Sequence, residues 1–386
     1  MISFDNTENA FKAQTNSELN RSYWLFKLIG NPALVRLGAG FGPLALGMGF
    51  QGLIKKTIFK QFVGGETIHD CAATVAELGH YNIGTILDYS VEGKETEADF
   101  EHCLAETLAT IQLAKNNKHI PFCVFKVTGL ARFALLQQVS SRNALTDLEK
   151  EEWEGVRKRV HSICLAAFEA DQSVFIDAEE SWIQPAIDDL ANENMALYNK
   201  IKAIVYNTFQ LYRHDRLNYL TECIKDGKTN SYHLGAKLVR GAYMEKERKR
   251  AQEMNYPSPI HSSKEACDRD YDAALGVCVE NIEVMALCAG THNEKSSLIL
   301  VEGMKQKNIA PADNRIFFSQ LYGMSNHISY NLSLNGYNVA KYVPYGPVKE
   351  VLPYLIRRAQ ENTSVKGQTG RELGLIMKEK RRRAGK

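Results

Sequence analysis

Tyr354, Arg357, Arg358 and Glu361 stand at i, i+3, i+4 and i+7, a spacing that a helix gathers on one face. Two guanidinium forks with a carboxylate one turn later can grip a small carboxylate bidentately, a task that Arg performs better than Lys. The same residues also read as a solvated face whose internal ion pair is worth about 0.3 to 0.5 kcal/mol. Leu352, Leu355, Ile356 and Ala359 form the opposite, apolar stripe. On an ordinary amphipathic helix that stripe faces the core and the arginines face water. Pattern alone favours the solvated reading and leaves the other open.

Further polar residues recur where short apolar runs finish: Asp88, Lys126, Asp177, Gln210, Arg240 with Gly241 and Tyr243, Thr291 with His292 and Asn293, Gln320, and Tyr342. One such residue is more often a satisfied buried polar group than a functional one. Eight runs ending alike point instead to a polar rim. Lys126, Lys237, Arg240, Arg357 and Arg358 would suit a polyanionic cofactor beside a small anionic substrate, and the backbone at Gly241 and Ala242 allows close approach of a phosphate or ring. His292 has no partner at metal-ligand spacing, and no serine or cysteine sits in a G-x-S-x-G elbow, so no metal centre and no nucleophile elbow is expected.

The elements that must position these residues alternate. Strands are expected at 84–90, 122–128, 173–179, 203–210, 233–243, 283–293, 315–321 and 340–346, with helices at 99–115, 144–170, 181–198, 211–226, 263–281 and 295–307. Eight β-then-α units with continuously apolar strands predict an α/β fold, a (β/α)8 barrel of TIM type whose active site lies at the C-terminal strand ends. A doubly wound sheet is the runner-up. In the stretch 341–361 the strand 340–343 is expected to break at Pro344, Gly346 and Pro347, and a helix to start at Pro353. Residues 1–65 are expected to form an N-terminal helical arm, 66–365 the barrel, and 366–386 a basic C-terminal helix or tail. Gly38, Gly40 and Gly42 do not have the dinucleotide spacing and follow no strand.

Of the 386 residues, 44% are hydrophobic and 24% charged, and a net charge of +2 gives no reason to expect a nucleic acid partner. The eight cysteines show no C-x-x-C pair, which fits reduced, buried thiols in a cytosol-like compartment. The acidic opening MISFDNTENAF lacks the features of an export signal. The apolar run 41–54 is too short to span a bilayer and reads first as a buried helix, second as a membrane-surface contact. The basic run KEKRRR reads as a solvated helix end that chemistry does not need.

KLVRGAY (237–243), GTHN (290–293), FSQLYGM (318–324) and VPYGPVKEVLPYLIRRAQEN (343–362) together resemble the flavin-dependent proline dehydrogenases, over roughly residues 60–365. The resemblance implies a distorted barrel whose last helix sits over the mouth, turning the arginine face inward. It implies noncovalent FAD, oxidation of L-proline to Δ1-pyrroline-5-carboxylate by hydride transfer from C5 to flavin N5, and a monofunctional enzyme. Lys126, Arg357 and Arg358 would hold the proline carboxylate, with Glu361 and Asp177 as orienting countercharges. Leu321, Tyr342 and Tyr354 would wall the ring, with Tyr243 nearby. Asp177, Gln210, Val239, Arg240, Gly241, Ala242, Thr291, His292, Asn293, Gln320 and Arg358 would form the FAD site. Tyr342, by that resemblance, would favour proline over 4-hydroxyproline by crowding C4.

By the same resemblance, electrons would pass to quinone or another acceptor, with a cytoplasmic location, peripheral at the inner face of a respiratory membrane. Hydroxyproline dehydrogenation and a non-catalytic flavin or proline sensor are the alternatives. An aldolase with Lys126 as Schiff base would leave the arginine pair and GTHN without a role.

Overall fold

Each of the eight apolar runs forms a strand in the computed structural model, which describes residues 2–31, 35, 51–90, 94–364 and 368–385, with the backbone alone at 51, 53, 360–364, 368 and 369. The strands are β1 (Ile83–Tyr89), β2 (Phe122–Phe125), β3 (Ser173–Ile176), β4 (Val205–Gln210), β5 (Leu234–Val239), β6 (Met285–Gly290), β7 (Ile316–Leu321) and β8 (Val339–Tyr345). They follow one another in sequence order around a closed barrel. The strands pair in parallel, as Ile83 against Val339 and Asn207 against Ala236. Parallel neighbours need a long crossover. The helices Glu97–Ala114, Asp147–Glu169, Gln184–Tyr198, Arg216–Thr229, Lys264–Glu280 and Glu294–Gln306 supply it where the sequence expected them. Local chemistry sets their starts: Thr146 and Glu149 form a reciprocal capping box, and Ser263 caps Ala266.

The chain divides into two compact units, Met1–Val91 with Gln320–Lys386, and Glu92–Ser319. In the second unit the inward-pointing residues of alternate strand positions build layers. Phe122 stacks on Phe175 at 4.4 Å between ring centres and meets Phe317 edge-on at 4.8 Å, with Tyr206 edge-on to both Phe122 and Phe175. Gly235 leaves room for this layer, because a Cβ there would lie 2.7 Å from the Tyr206 ring.

In the first unit, Phe11, Leu19, Phe26 and Phe62 share a core with Val351, Leu355, Leu375 and Ile376. Three local expectations differ from this structure. β8 runs through Pro344 to Tyr345, because the Pro344 carbonyl still accepts the Gly64 amide at 2.8 Å and the Tyr345 carbonyl that of Ser90 at 3.1 Å. The next helix is Val348–Ser364, starting five residues before Pro353. Pro347 precedes it and its carbonyl accepts the amides of Glu350 and Val351, so Pro347 opens the helix and Pro353 lies inside.

The basic run is the third difference. It belongs to the helix Gln368–Arg383, whose Glu379 is fully buried and binds both Arg382 and Arg383. Arg383 also donates to the carbonyls of Phe11 and Gln14, and Lys378 to that of Asp5. Lys378 and Arg383 thus fasten the helix to the N-terminal segment, while Arg381 and Arg382 are exposed, so the run is a solvated end only in part.

All eight cysteines are buried free thiols. Among the described residues no helix is long and apolar enough to cross a membrane. The glycines 38, 40 and 42 and most of the apolar run 41–54 lie outside the described residues.

Candidate active site

Above the aromatic layer of the second unit lies an ionic one. Asp177 follows β3 directly, held by its amide on the Phe125 carbonyl at 3.0 Å. Its carboxylate accepts from Lys237 in β5, and Thr208 in β4 stands 3.5 Å away. Lys237 and Asp177 are 5% and 8% exposed, and the ammonium lies 5.1 Å from the Phe175 ring centre. Asp177 thus has a countercharge within this unit, and Lys237 is committed to it. Lys126, one residue past β2, is half-buried.

Next along the rim, Gln210 at the end of β4 donates to the Glu179 carbonyl at 2.7 Å and accepts the Ala242 amide at 3.4 Å. Glu179 accepts from the amide of Thr128 at 3.0 Å and from its hydroxyl. These bonds tie the ends of β2, β3, β4 and β5 together. Burial pushes the Glu179 carboxyl up to about 8. The Thr128 donors oppose that rise, the Glu180 charge adds to it, and the Lys126 charge opposes it. Because the native group keeps its proton above the unfolded value, stability is full below about pH 4.5 and falls as pH rises to about 8. Glu179→Gln should therefore be more stable than the parent at pH 8 and show a flatter pH dependence. Urea unfolding from pH 5 to 8 measures this, and parallel curves would refute it.

Val239 ends β5 and gives its carbonyl to the Leu211 amide at 2.8 Å. Arg240 follows, spread over three partners: Asp268 at 2.7 Å, Thr291 at 2.7 Å and Ser296 at 3.0 Å, with its guanidinium 4.3 Å from the Tyr271 ring centre. Gly241 has φ +138°, and a Cβ there would come within 2.5 Å of the Tyr212 ring. At the end of β6, Thr291 also accepts the Asn293 amide at 3.1 Å, and Asn293 caps the helix Glu294–Gln306 through the amides of Lys295 and Ser296. His292 is half-buried between them. This rim offers an amide side chain, a fixed guanidinium, an imidazole, a side-chain-free backbone and a helix N-terminus carrying partial positive charge. Such donors fit an anionic, ring-bearing group of the flavin nucleotide kind.

In the first unit, the helix Val348–Ser364 buries an arc rotated from its apolar stripe, of which Leu352 and Ile356 are only half-buried. Val348 and Val351 are fully buried, Leu355 is 1% exposed, and Tyr354 and Arg358 are 6% and 7% exposed. The Arg358 guanidinium lies 5.0 Å from the Tyr354 ring centre. Arg357 is half-buried. The solvated reading therefore fails for Arg358. Glu361 continues the helix, and its side chain lies outside the described residues. Gln320 in β7 accepts from Ser329 at 2.7 Å, Leu321 is half-buried, and Tyr342 in β8 is 9% exposed with its carbonyl on the Tyr322 amide at 2.9 Å.

The sequence reading missed Glu179 as the link between strand ends, Tyr212 as the reason for Gly241, and the buried role of Lys341. A usable signal existed for the lysines: Lys237 in LGAKLV and Lys341 in VAKYVPY are charges inside apolar strands, where burial demands a partner.

The proline dehydrogenase family model matches residues 71–371. The "Carbapenem antibiotics biosynthesis protein CarD" of Pectobacterium carotovorum subsp. carotovorum is 32% identical over 333 residues, 86% of this chain and 86% of that protein. "Proline dehydrogenase 1, mitochondrial" of Drosophila melanogaster is 40% identical over 245 residues, 61% of this chain and 36% of that protein. "Hydroxyproline dehydrogenase" of Xenopus laevis is 30% identical over 412 residues, 97% of this chain and 88% of that protein. A crystal structure of proline utilization A from Bdellovibrio bacteriovorus, inactivated by N-propargylglycine, superposes with a TM-score of 0.73 at 18% identity, over 93% of this chain and 38% of that one. The structural likeness speaks for the fold. The chain spans little more than a third of the Drosophila and Bdellovibrio proteins.

Proposed function

From the chain's membership of the proline dehydrogenase family, we propose that it oxidises L-proline to Δ1-pyrroline-5-carboxylate with FAD as cofactor. The observation that carries this reading is the burial of Arg358 on the Tyr354 ring. A guanidinium withdrawn from water in this way is set to bind an anion, and Arg357 beside it supplies a second fork. The two take the proline carboxylate, with Lys126 a further carboxylate contact by resemblance. Tyr354, Tyr342 and Leu321 bound the pyrrolidine ring.

FAD is held by Gln210, Arg240, the Gly241–Ala242 backbone, Thr291, His292 and Asn293, with Asp177, Val239, Gln320 and Arg358 assigned to it by resemblance. When bound, FAD supplies the acceptor for the hydride lost from proline C5. The residues around the substrate supply orientation, and fixing a reactant in this way contributes up to about 7 to 11 kcal/mol in favourable cases. As C5 loses its hydride, the nitrogen lone pair closes the C=N bond, so the reacting amine must be neutral. No protein base is required.

Quinone or another acceptor reoxidises the enzyme, with transient contact at the inner face of a respiratory membrane and an otherwise cytoplasmic location. 4-Hydroxyproline is the second reading, favoured by the length of chain shared with the Xenopus laevis relative. Tyr342 argues against it, since its ring crowds C4.

The test is the visible spectrum of the purified protein, followed by anaerobic L-proline. Bands at about 380 and 450 nm that bleach on proline support both cofactor and reaction. A protein that binds FAD and is bleached only by 4-hydroxyproline overturns the substrate assignment. A colourless protein that FAD does not reconstitute overturns the cofactor. The bleaching rate should rise between roughly pH 6 and 9 as the substrate amine loses its proton; a flat profile would refute the neutral amine.

A further inference from the structure

The reaction described above makes no use of the charge behind β8. Lys341 and Tyr342 are successive strand residues and so project to opposite faces. Lys341 is 1% exposed, and its ammonium donates to the carbonyl of Met324 and, at 3.4 Å, to that of Leu321. The Leu321 carbonyl ends β7, and the Met324 carbonyl belongs to the loop that follows it. That loop bends twice into left-handed backbone, at Gly323 (φ +76°) and Ser325 (φ +50°). A Cβ on Gly323 would collide with the Gln61 carbonyl, and the Gln61 side chain donates to the Gly323 carbonyl at 3.0 Å.

The amide of Ser325 donates to Glu372, which is 3% exposed on the helix Gln368–Arg383. The loop therefore gathers carbonyls on one buried cation and an amide on one buried anion. Burial lowers the Lys341 ammonium to about 7, and the Glu372 charge works against that fall. A further titratable group among the described residues here is His327, whose Nδ1 is 3.9 Å from Glu372 and which packs edge-on against Phe4. One further bond connects the loop to the proposed substrate wall: the Tyr322 amide on the Tyr342 carbonyl, at 2.9 Å.

The geometry points to Lys341 and Glu372 as positioning residues that hold the loop 321–325 and, through Leu321 and the Tyr322–Tyr342 bond, set the fit of the substrate ring. This inference rests on the assignment of Leu321 and Tyr342 as ring walls. It makes the helix Gln368–Arg383 a determinant of substrate choice although none of its residues is assigned to the substrate. Each charge needs the other, since an unpartnered buried ion would draw water or lose its charge and release the loop.

The test compares Lys341→Met, Glu372→Gln and the double variant with the parent, as FAD-loaded full-length protein. Steady-state rates with L-proline and with trans-4-hydroxy-L-proline are measured, together with hydrogen exchange at the amides of 322–325. The single variants should raise KM for proline about 5- to 20-fold with kcat within about twofold, and narrow the preference between the two substrates. The double variant should be no worse than the worse single one, because both act through one loop. Faster exchange should be confined to the loop.

KM, preference and loop exchange all within about twofold of the parent in any folded variant would overturn the inference. If Glu372→Gln does not fold, Lys341→Met and the double variant decide alone. If the parent oxidises neither substrate, the dehydrogenase reading has failed, and loop exchange still decides whether the two charges hold the loop.

Discussion

Arg358→Met is expected to raise KM for L-proline by roughly 10- to 100-fold, from a charge-assisted contact worth about 1.5 to 3 kcal/mol. Arg357→Met should act in the same direction, less strongly, because Arg357 is half-buried where Arg358 is 7% exposed. Methionine is the informative replacement. It has nearly the length of the arginine stem and a thioether that packs well against the Tyr354 ring now 5.0 Å from the guanidinium. Removing one buried charge destabilises where it leaves a partner uncompensated. The unfolding midpoint should therefore fall somewhat, and KM should rise in the protein that remains folded. Arg358→Lys should recover only part of the loss, since an ammonium lacks the planar fork. Steady-state kinetics beside a urea titration reads both quantities, and an unchanged KM in both Met variants would return the helix to a structural role.

Gly241→Ala should strip the protein of flavin. Two penalties add at this residue. Its φ of +138° is closed to side-chain-bearing residues, and an added Cβ would lie 2.5 Å from the Tyr212 ring. Tyr212 has little room to yield: it is 4% exposed, its amide is held by the Arg240 carbonyl at 2.7 Å, and its own carbonyl takes the His261 amide at 2.8 Å. Backbone strain of about 1 to 3 kcal/mol and overpacking of about 1 to 3 kcal/mol sum to roughly 2 to 6 kcal/mol. Local displacement of the β5 end is the cheaper response, and it carries Arg240 and Ala242 with it. Flavin per chain, from the ratio of visible to ultraviolet absorbance, should fall to about a tenth or less. Gly336→Ala is the control, with φ +80° but nothing within 4 Å of the added Cβ. It should cost about 1 kcal/mol and keep its flavin. Equal flavin content in the two variants would refute the role given to Gly241.

The barrel was legible because its strands are covered on both faces. Runs such as FCVF, SVFI and MALCAG carry no alternation to misread, and each is followed by a polar residue, Lys126, Asp177 or Thr291, that announces the rim. Helix starts were legible where a side chain makes them, as at Thr146, and misplaced where backbone context does, as at Pro347 and Pro353. Arg358 shows why the helical wheel failed: Tyr354, against which it lies, joins a core built from residues far away in sequence, including Phe11 and Phe26, and a wheel sees none of them. The basic run was misread in part, for a related reason. Its targets are carbonyls of Asp5, Phe11 and Gln14, and a main-chain acceptor leaves no mark in the residue letters. Gly241 drew attention through the motif around it, but only the position of Tyr212 shows why a side chain is barred there.

The core that joins Phe11, Leu19 and Phe26 to Leu375 and Ile376 also has a cost in time. Roughly 350 residues separate its two halves along the chain, which at about 5 to 20 residues per second is on the order of 20 to 70 s of synthesis. Throughout that interval the apolar face of the helix Asn16–Ile29 has no native cover from the segment that will meet it. By contrast, 92–319 is continuous in sequence and can pair its strands as they emerge. Recombinant yield should therefore respond more to chaperone supply and growth temperature than to equilibrium stability, and the first aggregates should form through the helix Asn16–Ile29.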